Sequence, residues 1–162
     1  PNHQTGRVTP LKFRFDVAMS GRLGMEMQPS SMSDTEKAFA KKAIADYKSI
    51  RPTVQSGDLY RLISPYDNKG VASLMYVSPD KDKAVFFSYK LDHFRDQPIP
   101  RFTMKGLDKD KTYRFREINI PQGASSSYLD GKKASGHMLM NIGFEIPLDG
   151  EYASRVYELI AE

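Results

Sequence analysis

The spacing of hydrophobic residues is helical near the start of the chain. Thr9 and Pro10 are typical of a helix start, because Thr9 can cap the helix and Pro10 suits its first position. The apolar residues that follow share one helix face and precede Gly21, a typical stop: Leu11, Phe15, Ala18 and Met19. The short, mostly apolar stretch Leu23–Met27 predicts a buried strand.

A second helix is indicated by a capping pattern. Ser33 and Glu36 stand three residues apart, as in a capping box. The apolar positions beyond them recur at helical spacing: Phe39, Ala43, Tyr47 and Ile50. The pattern therefore predicts a helix over 34–50, which Pro52 ends.

From Leu59 onward the hydrophobic period becomes two, which indicates strands. The predicted strands are Leu59–Ser64, Ala72–Ser78, Ala84–Leu91, Arg101–Lys105, Thr112–Ile118, Asn141–Ile146 and Arg155–Ala161. Short strands separated by turn signals are typical of an antiparallel β-sandwich or Greek-key domain, so we expect a mainly β fold. The polar stretch Gly123–Gly136 is predicted to be a long surface loop.

The change of period divides the chain into residues 1–52 and residues 53–162. The helix–strand–helix order of the first part is typical of the end of an α/β barrel. This part is too short to bury its own apolar faces. We therefore expect Phe15, Phe39, Tyr47 and Ile50 to fold back on the β part or to pair with another copy of the chain, which leaves a homo-oligomer open.

Composition excludes several classes of function. The chain has no cysteine, and His3, His93 and His137 have no metal-like spacing, so a zinc site is not expected. The net charge of +4 comes from interspersed charges, which are typical of a solvated surface and not of a nucleic-acid stripe. No apolar run approaches the roughly 20 residues that span a bilayer. The compartment, cytoplasm or periplasm, stays open.

Carboxylates are the first candidates for chemistry, because glycoside hydrolysis uses a pair of them. Most lie near predicted turns or on polar strand positions, which favours surface solvation: Asp58, Asp67, Asp92, Asp96 and Glu117. Asp16 lies on the first helix, where we expect it to face outward. Glu26 lies in the predicted strand and is expected to belong to a polar layer.

Histidine and serine give weaker indications. No Gly-x-Ser-x-Gly motif occurs. We expect His137 to be a structural histidine beside an apolar run and His93 to be exposed in a turn.

The polar opening of the chain is the remaining candidate site. It has no initiator Met, so we expect a piece of a larger protein. In an α/β barrel the loops that follow strands line the active-site face, and the amide and imidazole groups of Asn2, His3 and Gln4 could bind sugar hydroxyls there. Equally, they could brace only the loop itself.

Several segments, in this order, resemble the C-terminal end of bacterial α-galactosidases of glycoside hydrolase family 36. They are PNHQTGRVTP, RFDVAMSGRLGMEM, a capped helix ending in DYK, GDLYRLISP, ASLMYVSPDKDKAVFFSY, GLDKDKTYRFREI and SGHMLMNIGFEIPL. Each segment alone is weak, but their order and spacing make the resemblance specific over nearly the whole chain.

The resemblance implies a fold and an activity. The fold would be the last part of a (β/α)8 barrel followed by an antiparallel β domain. The activity would be hydrolysis of α-linked galactose in melibiose and raffinose-type oligosaccharides, with retention of configuration and without a metal or organic cofactor. The partners implied are the rest of the barrel and, through it, the α-galactoside.

The resemblance transfers no catalytic residue to this chain. The family's two catalytic aspartates stand in Lys-Trp-Asp and Ser-Asp types of motif. The chain has no Trp and therefore no Lys-Trp-Asp, and its Ser33-Asp34 pair belongs to the capping pattern of the second helix. Asn2, His3 and Gln4 match a stretch near the family's active-site face, so the resemblance implies a substrate-site rim. The alternative is a non-catalytic carbohydrate-binding or structural module, for which the tyrosines are candidate surface aromatics.

Overall fold

The computed structural model describes Gln4 and residues 6–26, 28–67, 70–91 and 99–162. Three α-helices and a 3-10 turn lie in this part of the chain: α1 (Leu11–Met19), the turn Pro29–Ser31, α2 (Asp34–Ser56) and α3 (Gly136–Asn141). The strands are β1 (Asp58–Ile63), β2 (Val71–Val77), β3 (Lys83–Lys90), β4 (Thr112–Ile118), β5 (Lys133–Ser135) and β6 (Ser154–Ala161).

Helix α1 begins one residue later than the sequence indicates. Pro10 has an extended ψ of 141° and occupies the N-cap position, so the expected cap by Thr9 is wrong. The carbonyl of Pro10 accepts the first helical hydrogen bond from the Arg14 amide at 3.1 Å. The helix ends at Met19, and Ser20 caps its C-terminus next to the predicted stop at Gly21.

The predicted strand Leu23–Met27 does not form over residues 22–26, and Met27 lies outside the described residues. Hydrogen bonds instead fix the chain just before it: the Tyr76 hydroxyl donates to the Ser20 carbonyl at 2.7 Å, and the Tyr47 hydroxyl to the Gly21 carbonyl at 2.9 Å. A strand exists only through pairing with a neighbour, and no described strand pairs with this segment.

Helix α2 confirms the capping box and runs past the predicted end. The Ser33 hydroxyl accepts from the Glu36 amide at 3.2 Å, and the Glu36 carboxylate accepts from the Ser33 amide at 2.9 Å. Pro52 lies inside the helix and does not end it, because the buried residues Thr53 and Val54 hold the last turn in place. The helix closes where the Gly57 amide donates to the Thr53 carbonyl at 2.9 Å.

The six strands form one antiparallel sheet in the order β1-β2-β3-β6-β4-β5. The mainly β, antiparallel class is confirmed. Strands were correctly predicted, to within a residue at each end, at 59–64, 72–78, 84–91, 112–118 and 155–161. In the described residues the layer facing the sheet on one side is irregular and not a second regular sheet.

The other two predicted strands are absent from the sheet. Arg101–Lys105 and Asn141–Ile146 meet only in a single bridge between Phe102 and Phe144. Gly143 has a positive φ of 72°, which breaks an extended run, and the residues before it form helix α3. The predicted loop Gly123–Gly136 also contains strand β5.

The sheet has a core on each face because strand side chains alternate. In the register of β3 and β6, Phe86 lies opposite Tyr157 and Phe87 opposite Val156. The face that carries Phe86 packs against buried side chains of the irregular layer: Phe102, Met104, Phe144, Ile146 and Leu148.

The face that carries Phe87 packs against helices α1 and α2. The residues expected to fold back on the β part do so: Phe15, Tyr47 and Ile50 are buried there and Phe39 packs beside them. Within the described part of the chain, no helix combines the length and apolar character that crossing a membrane requires.

Candidate functional site: the N-terminal segment and its support

The predicted rim residues are only partly described. Asn2 and His3 lie outside the described residues, and Gln4 is exposed in a turn. Residues 6–10 then lead without regular structure into α1, and Gly6 turns the chain with a φ of 68°. The described part of this N-terminal segment is therefore Gln4 and residues 6–10.

Arg7 attaches the N-terminal segment to the turn that precedes β6. Its Nη1 donates to the Tyr152 hydroxyl at 3.4 Å, and its guanidinium carbon lies 5.6 Å from the centre of the Tyr152 ring. The Tyr152 ring meets Phe13 of α1 edge to face at 5.4 Å, and Phe13 in turn meets Tyr89 at 5.9 Å. A row of aromatic rings thus connects the segment to the sheet.

Asp16 fixes α1 on the sheet, and its burial overturns the expectation that it faces outward. The residue is fully buried. Its carboxylate accepts hydrogen bonds from Asn119 Nδ2 at 2.5 Å, from Ser154 Oγ at 2.7 Å and from Lys12 Nζ at 2.5 Å. Burial raises the pKa of Asp16, although Lys12 and the hydrogen bonds oppose this shift.

The partners of Asp16 bring both helices to one point. Asn119 adopts a left-handed φ of 56°, and its backbone N–H donates to the Asp46 carboxylate of α2 at 2.8 Å. The Tyr89 hydroxyl donates to the Asp16 carbonyl at 2.9 Å, and burial raises the pKa of Tyr89. Helices α1 and α2 are therefore joined to the same end of the sheet by polar contacts as well as by apolar packing.

A second buried cluster lies on β4 and β6 and corrects the expectation that Glu117 is solvated. The Glu117 side chain is 1% exposed and pairs with Arg155 at 2.6 Å. Its other oxygen accepts from the Ser127 amide at 2.6 Å, and the Ser127 hydroxyl bonds the Tyr157 hydroxyl at 2.6 Å. Burial raises the pKa of Tyr157. Both Glu117 oxygens are thus engaged within the fold.

The remaining candidates from the sequence do not come together. Asp58 and Asp67 are exposed as expected, and Glu26 is exposed instead of belonging to a polar layer. His137, which was expected to be a structural histidine, is exposed on α3, and its ring lies 3.5 Å from the Asn141 side-chain nitrogen. The candidates Asp92, His93 and Asp96 fall outside the described residues.

The described residues contain no group of three or more side chains suited to hold a metal ion. An apolar groove of about 600 Å³ opens between α1, α2 and the segment after β4. Leu11, Phe39, Ile120 and Pro121 line it, with Lys12 and Lys42 also on its walls. The described residues therefore hold the N-terminal segment and helix α1 on the sheet, and they contain no catalytic constellation.

Sequence reasoning missed the residues that make this support. Asn119, Ser154 and Tyr152 carry no motif, since each acts through partners far along the chain. The one local signal was Gly150 beside Asp149, a turn that places Tyr152 just before β6.

Two family models match the chain in succession. The model described as Melibiase matches residues 1–57, and the model of the glycosyl hydrolase family 36 C-terminal domain matches residues 71–159. The second match covers more than half of the chain and includes strands β2 to β6 except for the last two residues of β6.

Curated relatives extend these matches. The chain is 38% identical over 157 residues to "Probable alpha-galactosidase G" of Aspergillus terreus, which covers 96% of this chain and 20% of that protein. It is 37% identical over 128 residues to "Alpha-galactosidase AgaA" of Geobacillus stearothermophilus, covering 79% of this chain and 17% of that protein. The chain spans about a fifth of the length of the curated relatives that it matches.

Solved structures share the fold over the full chain. The family 36 α-galactosidase AgaB from Geobacillus stearothermophilus superposes with a TM-score of 0.84 at 34% identity, covering 100% of this chain and 21% of that one. A variant of AgaA from the same organism, solved in complex with raffinose, superposes with a TM-score of 0.84 at 32% identity and the same coverage.

Proposed function

Because this chain belongs to glycosyl hydrolase family 36, we propose that it forms the C-terminal part of a retaining α-galactosidase. The substrates would be terminal α-galactosyl residues of melibiose and raffinose-type oligosaccharides. The observation that carries the proposal is the succession of the Melibiase and family 36 C-terminal models along one chain whose whole length superposes on α-galactosidases. A relative bound to raffinose supports the choice of substrate class.

Within this enzyme the chain would support the active site without supplying its catalytic carboxylates. A retaining glycosidase needs two carboxyl groups about 5–5.5 Å apart, facing the sugar. The buried carboxylates of the described residues are Asp16, Glu117 and Glu158. Each already accepts hydrogen bonds or an ion pair from the fold, Glu158 from Arg116. None is left to attack or protonate a substrate.

The proposed contribution to the substrate site is the rim of Asn2, His3 and Gln4. Amide and imidazole groups can donate to and accept from sugar hydroxyls. We assign residues 1–52 to the end of the barrel and residues 53–162 to the C-terminal β domain, with α2 crossing this division as far as Ser56. The partner of the chain is then the rest of the barrel.

The test compares the 162-residue chain with the longer polypeptide that contains it. Both are incubated with a chromogenic α-galactoside and with raffinose, and proton NMR identifies the anomer of galactose that is released first. We expect turnover with α-galactose as the first product from the long polypeptide and no turnover from the short chain. Turnover by the 162-residue chain would refute its supporting role, and an inactive long polypeptide would refute the activity.

A carbohydrate-binding module is the weaker alternative. Tyr89, Tyr113 and Tyr157 are buried, so they offer no stacking surface. Tyr66 and Tyr128 are exposed, but the Tyr128 hydroxyl is engaged by the Glu145 carbonyl at 2.7 Å. Titration of the isotopically labelled chain with galactose decides between the two, because only a binding module gives localised, saturable shifts around such tyrosines.

A further inference from the structure

Helix α1 and the segment after it, residues 22–26, leave a cleft open on the surface of the chain, which we call the Arg14 cleft. We propose that the Arg14 cleft is a docking site for the rest of the longer polypeptide, which places a carboxylate on Arg14. This inference rests on the proposed function for the identity of the partner, and it adds the place and the chemistry of the contact.

The first observation is the apolar lining of the Arg14 cleft. The cleft has a volume of about 190 Å³, and apolar side chains of both walls line it: Leu11, Phe15, Ala18, Leu23 and Met25. Leu11 also lines the apolar groove of about 600 Å³, so the two depressions adjoin. Met25 is 39% exposed, although the apolar pattern of its segment is typical of a buried strand. Adjoining apolar depressions on a surface indicate an interaction site.

The second observation is a buried polar atom of Arg14. Arg14 lines the cleft, and its Nε is buried without a hydrogen-bond partner in the described part of the chain. Because a buried donor without an acceptor costs free energy, a partner that covers the cleft gains most by bringing an acceptor. The Nε and an adjacent Nη of arginine form a fork that matches the two oxygens of a carboxylate.

The acidic groups of this chain near Arg14 do not supply that carboxylate. Arg14 acts electrostatically on Glu36 of α2, but the Glu36 carboxylate is engaged in the capping box, where it accepts from the Ser33 amide at 2.9 Å. Glu26 lines the cleft and is exposed, and the described residues contain no ion pair between Glu26 and Arg14. Arg14 therefore has no carboxylate partner of its own among them.

The rest of the longer polypeptide is the occupant that fits these observations. The cleft lies within residues 1–57, which match the Melibiase model, and the chain spans about a fifth of the length of its curated relatives. Residues 22–26 pair with no described strand, so their backbone groups are open to a neighbouring segment. A second copy docked symmetrically through the same cleft would bring another Arg14 toward the first, which like-charge repulsion disfavours.

Methionine oxidation measures whether the Arg14 cleft is covered. Met25 and Met138 are 39% and 40% exposed, and Met138 lies on α3 outside the cleft, so it is the matched control. The 162-residue chain and the longer polypeptide are treated with dilute hydrogen peroxide, and mass spectrometry follows sulfoxide formation at each residue. We expect Met25 to be oxidised about 10-fold more slowly in the longer polypeptide, because oxidation there follows the population of the open form.

Arg14→Leu separates the carboxylate contact from simple burial. In the 162-residue chain it removes a buried donor without a partner, so we expect Tm to rise by about 3 °C. In the longer polypeptide it leaves the incoming carboxylate unpaired, so we expect oxidation of Met25 to become about 10-fold faster. Arg51→Leu, at an exposed position of α2, is the control and should change neither quantity. Arg14→Lys keeps the charge without the fork and should give an intermediate oxidation rate.

The outcomes separate docking from its alternatives. A lower Tm of the 162-residue Arg14→Leu chain would overturn the proposal, because Arg14 would then already have a partner such as Glu26. Equal oxidation rates of Met25 in the two unmodified polypeptides would overturn it too. Protection of Met25 that grows with the concentration of the 162-residue chain would assign the cleft to a second copy instead.

The activity assay is read separately from the docking assay. If the longer Arg14→Leu polypeptide fails to fold by circular dichroism, Arg14→Lys replaces it, and an oxidation rate of Met25 equal to that of the unmodified polypeptide would overturn the carboxylate contact. A longer polypeptide that protects Met25 but does not cleave α-galactosides would refute the proposed function and leave the docking site supported.

Discussion

Replacing Asp16 by alanine should destabilise the chain more than any change to an exposed carboxylate. The substitution removes the acceptor of Asn119 Nδ2 and of Ser154 Oγ, which are both buried. Lys12 loses its partner too, but its side chain is 19% exposed and can turn toward water. The polar groups of α1, the sheet and the segment after β4 would then face an unsolvated gap.

The size of this effect follows from the groups left without partners. A buried donor without an acceptor costs about 1–3 kcal/mol, so two of them cost about 4 kcal/mol. Removal of the desolvated carboxylate offsets part of this. We expect Asp16→Ala to lower the free energy of unfolding by about 3 kcal/mol, which is about 6–12 °C in Tm for a domain of this size.

Asp16→Asn isolates the charge. It keeps the volume and one acceptor oxygen, so we expect a loss of about 1.5 kcal/mol near neutral pH. The pKa of Asp16 is raised in the folded state above its ordinary value of 3.8, so the folded state binds the proton more tightly than the unfolded state. The stabilisation by protonated Asp16 is complete below pH 3.8 and is lost as the pH rises through the raised, folded-state pKa.

The assay is urea unfolding followed by circular dichroism between pH 4 and pH 7. We expect the unmodified chain to gain stability relative to Asp16→Asn as the pH falls across this window. Asp67→Ala is the control, because Asp67 is exposed, and it should change stability by less than about 0.5 kcal/mol. Equal free energies of unfolding for Asp16→Ala and Asp67→Ala, within error, would refute the reasoning. So would a stability difference between the unmodified chain and Asp16→Asn that becomes smaller as the pH falls.

Two further substitutions test the local structure. Ser33→Ala removes the N-terminal cap of α2 and should lower the free energy of unfolding, measured by thermal unfolding, by about 1 kcal/mol. Ser30→Ala, in the exposed turn before the helix, is the control and should leave stability unchanged. Equal melting temperatures of the two variants would argue against the capping box with Glu36. Arg155→Met leaves the buried Glu117 carboxylate unpaired and should cost about 3–5 kcal/mol in urea unfolding, and adding Glu117→Gln should recover part of that loss. A double variant no more stable than Arg155→Met would contradict this.

The fold was predictable where a local pattern decides the structure. The capping box of Ser33 and Glu36 predicts the start of α2. The alternation of apolar residues predicts both ends of the strand Thr112–Ile118 correctly. The end of α2 was not predictable in this way. Pro52 forbids one backbone hydrogen bond, but burial of Thr53 and Val54 against the sheet outweighs that local preference.

The same limit explains the two missing strands. Phe102 and Phe144 alternate with polar neighbours as strand residues do, yet only one bridge joins them. Their side chains are needed in the irregular layer over Phe86, and the left-handed Gly143 ends any extension of the pairing. Alternation records which side chains are buried and leaves open whether the backbone finds a partner strand.

The order of helical and β segments, the mainly β class and the family resemblance can all be read from the sequence, since each depends on local spacing. The role of Asp16 depends on the folded chain, because its partners Asn119 and Ser154 stand 103 and 138 residues away. Folding likewise brings Arg7 to Tyr152, 145 residues along the chain. A hydrogen bond or a ring contact depends on distance in space, and no periodicity along the chain encodes that distance.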